Sequence, residues 1–358
     1  MSSLSNVSTR TRPLARTSGQ RLSGLTLARV WAQRLWGPAI GLAVTGSLLA
    51  WVHTTGIGAV FIRVGWGLLI LVLLHQLTVA ADSVGWHAML SNLGLRLHRR
   101  DTLWIASVRN AAQTLIPLSA SGFIAGVRLL QHRGVPTATA LAGLIAEGTI
   151  ATLAELLTII MASGLFLLGA PHISAGNLKI VFSITAVLAA VLVVILWAQL
   201  NGRVFKAMSL SVQRFFPKPR RTSWTSAPLT LKDHLHQLYS RRWTMLFALF
   251  WQLMSLLCGA VEIWYILILL HTRAPFVFAL LLQGLGRATR SFGFLVPSGW
   301  GLQEGVYALL APLAGLTPAL GLAVSLVTRL RDVIFALPFL ASWHWYELHS
   351  AVAMDSSA

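Results

Sequence analysis

The stretch FGFLVPSGWGLQEG, residues 292–305, lies between two apolar runs, and its reading decides the fold. It holds Pro297, four glycines (Gly293, Gly299, Gly301, Gly305), Gln303 and Glu304. That is too polar to face lipid tails and too apolar for an ordinary surface loop. Broken backbone at membrane depth is tolerated only where it is buried in protein or lines a watered cavity.

The rest of the chain supplies the membrane. Of its 358 residues 56% are hydrophobic and 11% charged, and the mean hydropathy is +0.71. A spanning helix needs about 20 apolar residues. Six windows meet that need, at 37–55, 65–82, 137–168, 179–199, 245–270 and 319–343. Hydrocarbon leaves no partner for a free N–H or C=O, so these windows are predicted to be helices. The single Cys258 excludes an internal disulfide. Scattered histidines without a Cys–His cluster give no metal-ligand spacing, so no metal or cofactor is expected.

The net charge of +18 is uneven. Residues 1–36 carry Arg10, Arg12, Arg16, Arg21, Arg29 and Arg34 and no acid, and 201–242 carries nine Lys/Arg against Asp233. Arg96, Arg99 and Arg100 form a third basic cluster, followed by Arg128 and Arg133. The positive-inside rule puts all of them in the cytoplasm, with both termini. There they would meet anionic lipid headgroups; no aromatic-interleaved module points to nucleic acid. The acid-free start also reads as an organellar transit peptide or a bacterial cytoplasmic tail. Its segment 21–35 has the pattern of an interfacial amphipathic helix.

Keeping every basic loop inside requires two segments to enter and return on one side, 102–130 and 275–316. The predicted architecture is thus an all-α polytopic membrane protein of about six spans plus two re-entrant hairpins. A tail (1–36) precedes a single transmembrane domain (37–345), and 346–358 form a C-terminal tail. Within the domain, repeat 1 covers about 37–170 and repeat 2 about 178–345, with the basic loop at 201–242. The hairpins read alike: an apolar run into Leu-Ile-Pro117 or Leu-Val-Pro297, a small-residue turn, a short helix, and a closing proline. Pro297 lies 180 residues past Pro117, and Pro318 lies 182 past Pro136. Three spans separate the copies, so they are inverted. Paired Gly/Pro-interrupted segments in two halves are a sequence pointer to a transport site.

Ionisable groups inside spans are costly and mark function by default. Glu147 and Arg329 each lie eleven residues past a closing proline. In an inverted repeat they would approach one depth and could pair, either as a switch or as a structural lock. Asp332 could instead hold Arg329 locally. Glu304, at the start of a short helix, suits either a cap or, with Gln303, a substrate contact. Arg287 and Arg290 suit a lipid phosphate, which guanidinium binds in bidentate fashion, or snorkelling to the headgroups. Asn110 makes the first hairpin polar and Arg128 faces the cytoplasmic leaflet. Glu155, Glu262 and Asp82 are lesser candidates. No nucleophile, phosphate-loop or metalloprotease motif is present.

The order hairpin proline, Gly-rich turn, QEG (303–305), GLTP (315–318) and SLVTRLRD (325–332) resembles the lysylphosphatidylglycerol synthase transmembrane-region family of flippase-like proteins. GVRLLQHRGVP (126–136) resembles its first half. The likeness covers roughly 37–347 and is nearest to the hopanoid-biosynthesis-associated branch. One departure is Gly122-Phe123, where family members often carry an acid. The chain stops soon after its last helix, so the aminoacyl-transferase domain of full-length synthases is not expected. The resemblance implies lipid translocation or handling in a bacterial inner membrane, through a crevice lined by Arg287, Arg290, Pro297, Gln303, Glu304, Glu147, Arg329, Asn110, Pro117 and Arg128. Two other classes stay open: a membrane-embedded lipid-modifying enzyme using Glu147 or Glu304 as base, and a non-catalytic scaffold for lipid-biosynthesis proteins. A homo-oligomer is compatible with all three.

Overall fold

The computed structural model describes residues 63–116, 120–169, 175–200, 227–291 and 301–355. The predicted span at 37–55, the segment 21–35, most of the basic loop, Pro117 and residues 292–300 with Pro297 lie outside them. All described residues fall in one compact unit, Gly37–Ala358. They form ten α-helices and no strand. These are α1 (Gly67–Asn92), α2 (Arg99–Leu115), α3 (Ser121–His132), α4 (Thr137–Gly169) and α5 (Ala175–Leu200). After them come α6 (Ala227–Ser240), α7 (Arg242–Leu269), α8 (Phe276–Ser291), α9 (Leu302–Leu310) and α10 (Pro318–Asp355).

Among the described residues, four helical stretches are long and apolar enough to cross a membrane: α1, α4, Val181–Gln199 in α5, and α7. They are dressed for lipid. Leu69, Leu73 and Leu77, four residues apart on α1, stand exposed, while His75 and Thr78 on the opposite face are buried. A stripe with this spacing repeats on one side of a 3.6-residue helix. Leu157, Ile160, Met161 and Leu165 give α4 the same apolar exterior, and Leu246, Phe247 and Phe250 do so for α7.

Two helices outrun their predicted windows. The window at 65–82 continues to Asn92 because Trp86, Met89 and Leu90 are buried core residues beyond it. The last window, 319–343, lies within a 38-residue helix, about 57 Å long at 1.5 Å per residue. Pro338 sits inside that helix without ending it. Its far end is held by Glu347, which accepts from Trp343 Nε1 at 3.0 Å and pairs with Arg128 of α3.

The segments read as hairpins are helix pairs, α2 with α3 and α8 with α9, each packed arm to arm. Packing beyond them is reciprocal: α2 lies against α10, and α8 against α4. The two helices that precede the hairpins, α1 and α7, form the most extensive helix pair in the fold. Two apolar cores result. One gathers Leu71, Ile159, Phe166, Ile263, Phe278, Leu285, Tyr307 and Val327, and the other Trp86, Ile105, Val127, Leu144, Leu238 and Phe335. Between them run polar residues: His75 and Thr78 on α1, Glu155 on α4, Gln252 and Ser255 on α7, and Arg329, Arg331 and Asp332 on α10.

The α2–α3 contact depends on a missing side chain. A Cβ on Gly122 would stand 2.7 Å from the Arg109 carbonyl oxygen, a backbone atom that cannot swing aside. Gly122→Val is therefore expected to part the arms and lower stability by about 1–3 kcal/mol. Gly164→Ala, with nothing within 4 Å of the new methyl, should be neutral or gain up to about 1 kcal/mol of helix propensity. Thermal melts in detergent check both; equal melting of the two variants would contradict this packing.

Candidate functional site: a charged layer between two apolar cores

Among the described residues the layer contains six of the chain's ten acids: Glu147, Glu155, Glu262, Glu304 and Asp332, all buried, and the part-buried Asp82. An isolated ion at this depth is expensive, so each must be matched. Five are matched by arginine. Arg109 Nη2 donates to Glu147 Oε2 at 2.5 Å, and Arg287 Nε stands 3.5 Å from Glu155 Oε1. Arg329 Nε donates to Glu304 Oε1 at 3.1 Å, Arg290 Nη1 lies 3.5 Å from Asp332 Oδ2, and Arg331 pairs with Glu262. The guanidinium fork lets Arg331 also donate to Asp332 Oδ1 at 2.6 Å.

Around Glu262 four helices converge. Thr78 of α1 donates to the carboxylate, Arg331 of α10 pairs with it, and His75 Nδ1 stands 3.3 Å from Oε2. His75 Nε2 is 3.4 Å from Asn110 Oδ1 on α2 and 3.9 Å from Asp332 Oδ1, and the ring meets Phe335 edge-on. Farther along the α1–α7 seam is Asp82. Its neighbour Gln252 satisfies both adjoining groups in one amide orientation, donating to Asp82 and accepting from Arg287 Nη2 at 3.2 Å. Arg109 is additionally stacked over Trp86, 4.5 Å from the ring centre.

The α9 end supplies the third part. Gly301 holds φ +82, where a side chain would be strained, and its N–H donates to Glu304 Oε2 at 2.8 Å. Glu304 therefore caps its helix with one oxygen and binds Arg329 with the other. Buried Gln303 donates to Ser325 Oγ and Thr328 Oγ1 of α10, at 3.2 and 3.1 Å.

Several expectations need correction. Glu147 and Arg329 do not pair: Glu147 is held by Arg109 of the first hairpin and Arg329 by Glu304 of the second. Asp332 contacts Arg331 and Arg290 in place of Arg329. Arg287 and Arg290 turn inward to acids and do not snorkel outward. At the centre of the layer is Arg331, 4% exposed. Asn110 does face the layer, through His75. Arg128 lies apart, at Glu347 near the bundle's end. Pro117 and Pro297 fall outside the described residues. His75, Arg109, Gln252 and Ser255 were missed, although a histidine in an apolar helix and an arginine beside Asn110 were visible signals.

Fold and layer together define a multi-pass α-helical membrane protein with an ionic interior. The sequence model of the Lysylphosphatidylglycerol synthase TM region family matches residues 39–339, and the chain belongs to that family, whose function concerns membrane lipids. Comparison with curated proteins and with solved structures gives no match.

The pairing is testable by double replacement. Arg109→Leu alone should cost about 3–5 kcal/mol, because it strands a buried carboxylate. Adding Glu147→Leu should recover most of that loss, whereas Arg329→Leu with Glu147→Leu should show no recovery beyond the sum of the singles. Melting temperatures of the set in one detergent decide it; coupling between 147 and 329 would restore the pair expected from the repeat.

Proposed function

We propose that the protein moves a lipid between leaflets of a bacterial inner membrane, its headgroup passing through the charged layer while the tails stay in the bilayer. The observation that carries this reading is that both hairpins turn charged and polar side chains (Arg109 and Asn110; Arg287, Arg290, Gln303 and Glu304) into one interior layer rather than toward the headgroups. Family membership in a lipid-related group supports it. In this reading the fold is an inverted repeat of six spans and two re-entrant hairpins with both termini cytoplasmic. The reciprocal packing of α2 on α10 and α8 on α4 is what that symmetry requires.

Arg287 and Arg290 would receive an anionic headgroup. Their acids stand at 3.5 Å, longer than an optimal charge-assisted contact of about 2.8 Å, so a phosphate can compete for them. Gln303 and Glu304 would hydrogen-bond it, and the switching role assigned to Glu147–Arg329 passes to Arg109–Glu147 and Arg329–Glu304. A phospholipid or a hopanoid-type lipid would fit the layer equally. With no phosphate-loop motif, movement runs on a gradient or as equilibration. Against an enzymatic role, Glu147 and Glu304, the acids it would use, each commit an oxygen to an arginine.

The test is exchange of a headgroup-labelled phospholipid in proteoliposomes, read with an impermeant quencher. Wild type should exceed empty vesicles. Glu304→Gln and Arg290→Gln should each slow exchange roughly tenfold or more, the equivalent of about 1.4 kcal/mol. Wild type no faster than empty vesicles, for a phospholipid and for a hopanoid-type lipid, would overturn the proposal.

A further inference from the structure

Matching the layer's charges leaves one group over. Five arginines answer five acids, and among the described residues Asp82 has no arginine bound to it; its partner is the Gln252 amide. The repeat shows why. Glu262 lies 180 residues past Asp82, the offset that separates Pro117 from Pro297. The two acids are counterparts on the paired helices α1 and α7. Glu262 has Arg331, whereas the position 182 residues before Arg331, the offset of the closing prolines, is Thr149. One of the two positions holds a base and the other does not.

Every charged group facing Asp82 leaves that imbalance standing. Arg109 on α2 and Arg287 on α8 are the cations in its range, and Glu147 and Glu155 on α4 are the anions. Each of those cations is already engaged by one of those anions. On α1 itself Thr78 and His75 lie one and two turns back, and His75 faces Glu262, Asp332 and Arg331. Among the described residues Asp82 is thus the one acid of the six with no arginine or histidine at ion-pair distance. A buried charge without a partner is removed most cheaply by a proton.

A second observation lies along the same seam. Ser255 of α7 is fully buried, and its Oγ makes no hydrogen bond to a described group. It stands one turn from Gln252 on the face that meets α1. Thr78, Ser255 and the Gln252 amide thus space hydroxyl and amide groups between Asp82 and the His75–Glu262 pair.

We propose that Asp82 is a proton-binding site in the membrane interior, loaded through the α1–α7 seam, by which lipid movement draws on the proton gradient. Loading it removes that unpaired charge, so an anionic headgroup reaching Arg287 meets one negative charge fewer. The coupling rests on the lipid-translocation reading; the proton site itself does not.

Two measurements on the full-length protein in liposomes keep the two apart. Infrared difference spectra between acid and alkaline pH should show a protonated-carboxyl band in wild type that Asp82→Asn removes and Asp82→Glu keeps, displaced in frequency. Persistence of the unchanged band in Asp82→Asn would overturn the proposal whatever the lipid does. Under an imposed pH gradient, wild-type exchange should accelerate severalfold over the rate without one, and Asp82→Asn should exchange at one rate in both. A variant that still responds to the gradient would overturn the coupling. If no lipid moves but the band is lost, the proton site stands and the translocation reading falls.

Discussion

A carboxylate midway through a bilayer must find a cation or a proton, and the arrangement of this bundle follows from that demand. Glu262 sits on a helix whose other faces meet lipid or apolar core. It is stable there because α1 and α10 bring Thr78, His75 and Arg331 to it at once. Removing one partner from such a site leaves an uncompensated charge, which costs more than the pair contributes. The layer therefore orders the helices: α1, α2, α4, α7, α8, α9 and α10 each contribute at least one group that would be intolerable in isolation.

The same requirement explains why two apolar cores flank the layer instead of one core filling the bundle. Apolar packing on either side holds in place the helices that carry the ionic groups. The hairpins carry arginines across that boundary. Their helices are short, so a side chain near the turn, such as Arg109 or Arg290, reaches the layer while the rest of the arm packs in a core. A helix pair anchored at its tip by ion pairs can shift between partners without unpacking its base, which is the mechanical property a translocation path needs.

Much of this was legible in the sequence. Apolar windows located α1, α4, α5, α7 and α10, because a membrane imposes length and hydropathy together. The prolines and glycines marked both hairpins, and Glu304, Gln303, Arg287 and Arg290 do face the interior. Partner identity was not legible. Glu147 and Arg329 each lie eleven residues past a closing proline, yet Glu147 is taken by Arg109 and Arg329 by Glu304. Arg331 was passed over because helix spacing fixes which residues share a face but not which face a long arginine reaches from. Helix ends were also hidden: hydropathy falls at Asp82 and Trp343, but side-chain contacts carry both helices onward.

A headgroup path requires the charged layer to be watered and not a dry lock. Single cysteines at Gln303, Ser255 and Thr328, placed in a Cys258→Ala background and exposed to a charged, impermeant thiol reagent from each side of sealed vesicles, test it directly. The expected result is modification at these positions from at least one side, slowed by an anionic lipid, with none at lipid-facing Leu157 or Val194. If the layer cysteines are as inert as the lipid-facing ones from both sides, the ion pairs only fasten helices together and the path does not exist.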